Sequence, residues 1–145
     1  MGIPMTVLVG VQGTAGTRAA IRAAAEEAGF RQTKLVAVTA YSGEQAAAPA
    51  VRPVGAVRTS AEERTQAESL LQQATLEALG ADAGRVELRV VQGVPGRSLV
   101  EAARMVGAEL LVLATRADGV LSWLLGSQYV LRNAPCPVLL VPEHG

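Results

Sequence analysis

Runs of apolar residues alternate along the chain with stretches whose small and apolar residues recur at helical spacing. The first run, Thr6-Val7-Leu8-Val9-Gly10-Val11, has no polar alternation and ends at Gln12-Gly13, which predicts a parallel strand covered on both faces. Ile21, Ala24, Ala25 and Ala28 then share one side of a predicted helix, with Gly29 placed as its stop. Lys34 to Tyr41 reads as a second strand, and Ser42 to Val57, with its Gly, Pro and Ala run, as a long loop. Ser60 and Glu63 form a capping-box signature ahead of a long helix with Ala67, Leu70, Leu71, Ala74 and Ala78 on its inner face, stopping near Gly80.

Val86 to Val91 alternates aliphatic with charged residues, as expected of a third strand at or near a sheet edge. Pro95 opens a further helix with Leu99, Ala102, Ala103 and Val106 inward, and Glu109 to Ala114 is a fourth, fully buried strand. After a connection from Thr115 to Leu125 come a short helix from about Ser127 and a fifth strand, Val138 to Val141. Strands that alternate with helices imply right-handed crossovers. The fold class is α/β: a doubly wound parallel sheet of five strands with about four helices on its two faces.

Composition narrows what this fold is expected to do. With 145 residues, half of them hydrophobic, the chain fits one domain spanning residues 1–145 with a proper core. Thirteen Lys+Arg balance thirteen Asp+Glu, which argues against an extended nucleic-acid surface but leaves room for one small anion site. One Cys and one His exclude zinc clusters and disulfides within the chain, and Cys136, between two prolines, makes a poor nucleophile with His144 in the terminal tail. With no signal-like opening and no apolar run of membrane length, the expected location is soluble and cytoplasmic, with neither membrane nor nucleic acid as partner.

In such a sheet, ligands bind beyond the carboxyl ends of the strands where the strand order reverses. Gly10, Gly13 and Gly16 are spaced GxxGxxG, not GxGxxG, and no acid closes the second strand, so a dinucleotide fingerprint fails. No GxxxxGK[ST] occurs, and the only lysine is Lys34. Gly126-Ser127 precedes the short helix, so its N–H groups and hydroxyl either grip a phosphate, with Arg116 adding charge, or simply turn and cap the helix. No acid–base pair suited to catalysis emerges, because the loop carboxylates Glu44 and Asp118 both read as solvated surface.

The segments VLVGVQGTAGTRAAIRAAAEEA, VVQGVPGRSLVEAARMVGAELLVLATR and LLGSQYVLRNAPCPVLLVP together resemble a single-domain universal stress protein over nearly the whole length. The resemblance implies an adenine nucleotide alpha hydrolase-like, Rossmann-like sheet of order 3-2-1-4-5. It also implies a homodimer joined through the last strand, Val138, Leu139, Leu140 and Val141, with Pro142 limiting further pairing. Mapped onto this chain, the nucleotide site comprises Gly10, Gln12, Ala40, Ala114, Arg116, Ala117, Gly126, Ser127 and Gln128, with Ala40 meeting adenine through its backbone.

The ATP-binding pattern of the family, G-x2-G-x9-G-[ST], is altered here. Ala114 and Ala117 stand at the first two glycines, and only eight residues, Asp118 to Leu125, precede Gly126. Gln12 replaces an acid, and Tyr129 stands where a small residue is usual. Each alanine adds a Cβ to a backbone that would otherwise approach the ligand closely. The expectation is therefore a non-enzymatic stress-response dimer with weak or absent ATP binding, requiring no cofactor and acting through as yet unknown protein partners. The alternative is a regulatory module that binds an adenine nucleotide (ATP, AMP or cyclic AMP) despite the altered motif. Trp123 is expected to pack, and Tyr129 either to overhang the phosphate site or to pack on the sheet.

Overall fold

The computed structural model describes residues 5–12, 17–41, 60–115 and 128–142. Among these residues lie five strands, β1 (Thr6–Gly10), β2 (Lys34–Tyr41), β3 (Glu87–Gln92), β4 (Ala108–Thr115) and β5 (Val138–Pro142). Four α-helices accompany them: α1 (Thr17–Arg31), α2 (Ser60–Leu79), α3 (Pro95–Val106) and α4 (Gln128–Asn133), with a 3-10 segment, Gly80–Arg85, after α2. The sheet is parallel throughout with order β3-β2-β1-β4-β5, so β3 and β5 are its edges and the chain reverses direction across the sheet between β1 and β4.

The continuous apolar runs sit where both faces are covered. Val7, Val9, Leu35, Ala37, Leu110 and Val112 face α1 and α2, whereas Leu8, Val36, Val38, Leu111 and Leu113 face α3 and α4. Burying aliphatic side chains of this size contributes about 1.5–3 kcal/mol each, which makes the central strands the main source of stability. The ends of β4 are only half-buried, so burial there is complete for Leu110 to Leu113 alone.

The expected helices form, with local corrections. Helix α1 does not stop at Gly29. It continues to Arg31, and Gln32 takes the left-handed turn with φ 53°. The N–H of Thr33 donates to the carbonyl of Ala28 (3.0 Å) and that of Gln32 to Gly29 (3.2 Å), a Schellman closure without glycine at its left-handed position. In α2, Leu70 is 42% exposed instead of facing inward. Thr75 takes the inner position, its hydroxyl satisfied by the Leu71 carbonyl at 2.8 Å. Helix α2 already includes Ser60, and the described part of α4 runs over Gln128–Asn133, with Ser127 outside the described residues. Helix α3 agrees with expectation: Pro95 takes its first position, and Leu99, Ala102 and Ala103 are buried. The Ser42 to Val57 loop, most of the Thr115 to Leu125 connection, and Trp123 lie outside the described residues.

Candidate functional site

The crevice that the topology predicts lies beyond Gly10, Val11 and Gln12 of the first strand and Ala114 and Thr115 of the fourth. Gly10 is buried, and its missing side chain has a packing cause. A Cβ there would stand 2.7 Å from Leu99 Cδ2 and 3.0 Å from Leu113 Cδ2, so α3 and β4 have closed over the strand. Val11 continues the ladder by donating its N–H to the carbonyl of Val38 at 2.8 Å. Gln12 follows directly and is exposed at the crevice.

On the adjacent strand, Ala40 is half-buried and in register with Val91. The carbonyl of Tyr41 accepts the N–H of Gly93 at 2.9 Å, which ties the end of β2 to the turn that leads into α3. Ala114 is half-buried and packs against the α1/α2 side of the core. Gln128, the first residue of α4, is exposed. Arg116, Ala117, Gly126 and Ser127 lie outside the described residues. The structure thus brings Gly10, Gln12, Ala40 and Ala114 to the carboxyl ends of three neighbouring strands.

Tyr129 packs: it joins the α3/α4 core cluster, and its carbonyl accepts from Asn133 Nδ2 at 2.9 Å. Over its ring, 5.6 Å from the centroid, stands the guanidinium of Arg97 from the first turn of α3. This pair was missed in the sequence. Its only sequence signal is an arginine directly after Pro95-Gly96, where an acid would better suit a helix start.

Cys136 is half-buried beside the α3/α4 cluster, and desolvation pushes its thiol pKa up, which favours the protonated thiol over the nucleophilic thiolate. Glu87 belongs to the opposite end of the sheet. The Lys34 ammonium and then the Arg89 guanidinium (2.6 Å from Oε2) hydrogen-bond its carboxylate and hold its pKa below the usual range. Among the described residues no three His, Cys, Asp or Glu side chains group to hold a metal ion, and no helix is long and apolar enough to cross a membrane.

A doubly wound parallel sheet with its crevice at the β1/β4 reversal places the molecule among the Rossmann-like α/β proteins. The model of the universal stress protein family matches residues 5–142, and the chain belongs to that family. It is similar over 99% of its length to the whole of a universal stress protein solved in complex with cAMP, at 27% identity and a TM-score of 0.71. The universal stress protein UspA from Lactobacillus plantarum is 20% identical with a TM-score of 0.69, matching 97% of this chain and 99% of that one. A universal stress protein from Archaeoglobus fulgidus, in complex with dAMP, has 20% identity and a TM-score of 0.60, over 97% and 99% of the two chains.

Proposed function

We propose that this universal stress protein is a non-enzymatic stress-response module that assembles as a homodimer through β5, holds ATP weakly or not at all, and acts through protein contacts. The observation that carries this reading is the edge strand β5. Its four aliphatic residues, Val138 to Val141, are each only half-buried, and β4 is its one strand neighbour among the described residues. An aliphatic edge left open in this way favours pairing with another chain. Pairing two copies satisfies the open backbone groups and removes the remaining apolar surface from water.

Weak ATP binding follows from side-chain volume and charge. Ala114 brings a Cβ to the end of β4, Ala117 brings another to the following loop, and Gln12 offers no negative charge for a metal-bound polyphosphate. Calorimetric titration with Mg-ATP is expected to give no heat at micromolar protein. Ala114→Gly with Ala117→Gly, one added loop residue and Gln12→Asp is expected to raise ATP affinity. Micromolar ATP binding by the natural sequence would overturn the reading.

A second reading, an adenine mononucleotide regulatory module, is favoured by the relative solved in complex with cAMP. A nucleotide with one phosphate makes fewer demands on the altered loop than ATP does. The backbone at Ala40, where the family resemblance puts adenine, is indifferent to the side chain it carries. The same titration with AMP and cAMP distinguishes this reading, because it requires binding of at least one of them.

A further inference from the structure

We propose that the dimer joined through β5 closes in three layers, with Phe30 of α1 and Leu131 of α4 as apolar anchors on the two faces of the paired strands; this rests on the β5 reading above. A stable protein–protein interface engages about 20–30 residues and roughly 800 Å² on each partner. β5 has five residues. Strand pairing alone is therefore too small, and the missing surface has to come from the helices beside the edge. Each of them holds a large apolar side chain in water: Phe30 is 80% exposed and Leu131 40%.

Packing fixes the side of the molecule on which both residues stand. Helix α2 covers β2 and β3, whereas α1 reaches across β1 and β4 to β5. Arg18 and Arg22 mark the side of α1 that faces α2, since they engage Glu77 (3.7 Å) and the Ala78 carbonyl (3.1 Å). Ala23, Glu27 and Phe30, spaced i, i+4, i+7, share the opposite flank, which overlooks β5. Glu27 is neutralised there by Arg31. Arg31 also pairs with Glu109, two residues ahead of Leu111, the register partner of Val138, so Phe30 stands at the amino end of β5.

On the other face, α4 leads into β5 through only four residues, too short a link to cross the sheet, so α4 stands on the β5 side of α3. Tyr129 turns toward α3, where Arg97 meets it, and Val130 is buried in the core. Leu131, about 200° round the helix from Tyr129, is left on the flank away from α3, beside the edge. Antiparallel pairing of two β5 strands sets the twofold axis normal to the sheet, so each face of one copy continues into the same face of the other. The amino end of one β5 then lies beside the carboxyl end of its partner's, and Phe30 closes over that junction. Exposure alone does not define an anchor: Met105 is 78% exposed, but it belongs to α3, which α4 separates from the edge.

The test is sedimentation velocity over a concentration series of the wild-type chain, Phe30→Glu, Leu131→Glu and Leu140→Glu, with Met105→Glu as the control. Phe30 is mostly in water, so its substitution leaves the fold of the single copy intact. Wild type is expected to be a dimer and Leu140→Glu a monomer. Phe30→Glu and Leu131→Glu are each expected to raise the dimer dissociation constant about tenfold or more, the first by the larger factor, and Met105→Glu to leave it unchanged. If Leu140→Glu dissolves the dimer but either helix variant behaves like Met105→Glu, the three-layer interface is overturned while the β5 reading stands. A wild-type monomer, or a dimer that survives Leu140→Glu, removes both.

Discussion

The two edges of the sheet are built from unlike strands. β3 reads Glu-Leu-Arg-Val-Val-Gln, and its carboxylate at Glu87 is engaged by Lys34 from β2 and Arg89 from β3 itself. β5 reads Val-Leu-Leu-Val-Pro, with no charge at all. Both strands are half-buried up to an exposed last residue, so exposure alone does not separate them. What differs is the cost of covering each one. Pairing a chain onto β3 would bring Glu87 and Arg89 out of water, whereas pairing onto β5 buries mainly aliphatic groups. One sheet thus carries a guarded edge and an open one, and the open edge is where the proposed dimer forms.

The largest effect should come from Leu140→Glu. Leu140 is half-buried, packs on the α3/α4 core, and is in register with Leu113. An unpaired carboxylate there should turn dimer into monomer, read by sedimentation velocity. The centre of the sheet supplies the next test, because it has none of the slack of either edge. Gly10→Ala sets a Cβ against two buried leucines and should destabilise the fold by about 1–3 kcal/mol in urea unfolding. Smaller, and of opposite sign, is Gln32→Gly. Relieving the left-handed strain after α1 should stabilise by about 1 kcal/mol, giving a firmer background in which to compare edge variants.

The smallest effect tests the guard on β3. The folded-state pKa of Glu87 is lowered, so its ion pairs stabilise above the ordinary carboxylate pKa, near about 4.3, and that contribution is lost as pH falls through the lowered value. For partly exposed pairs this amounts to no more than about 1 kcal/mol. Stability curves of wild type and Glu87→Gln should therefore converge in acid and separate above that range. Curves that stay parallel at every pH would show the pairs to be inert.

Much of this contrast was readable in the sequence. Continuous aliphatic runs marked β1 and β4 as covered on both faces, and alternation of charge with Val and Leu marked β3 as an edge, because strand burial follows a period of two. The misplaced details depend on competition between similar local signals. Gly29 looked like the stop of α1, yet the chain closes one turn with Gln32, because the helix remains useful as far as Arg31, which pairs with Glu27 and with Glu109 of β4. Leu70 and Thr75 exchange the expected roles in α2, since a threonine hydroxyl can be satisfied by its own helix and then packs as a small apolar group.

For the candidate site, the strand ends at Gly10, Gln12, Ala40 and Ala114 followed from topology, whereas the meeting of Arg97 with Tyr129 did not. Two residues on different helices come together only once both helices have packed on the sheet, and no local pattern encodes that. Gly10 carries the same lesson. The family resemblance put it in the nucleotide site, and its neighbours Leu99 and Leu113 supply a packing reason for the glycine.

The most direct measurement of the central claim sets matched substitutions on the two edges side by side. Val91 on β3 and Leu140 on β5 are both half-buried and both pack against the α3/α4 layer. Glu at either position should weaken the fold to a similar degree, which thermal melting reports separately. Sedimentation velocity of wild type, Val91→Glu and Leu140→Glu should then give dimer, dimer and monomer. A wild-type monomer, or a dimer that survives Leu140→Glu and dissolves with Val91→Glu, would contradict the assignment of β5 as the pairing edge.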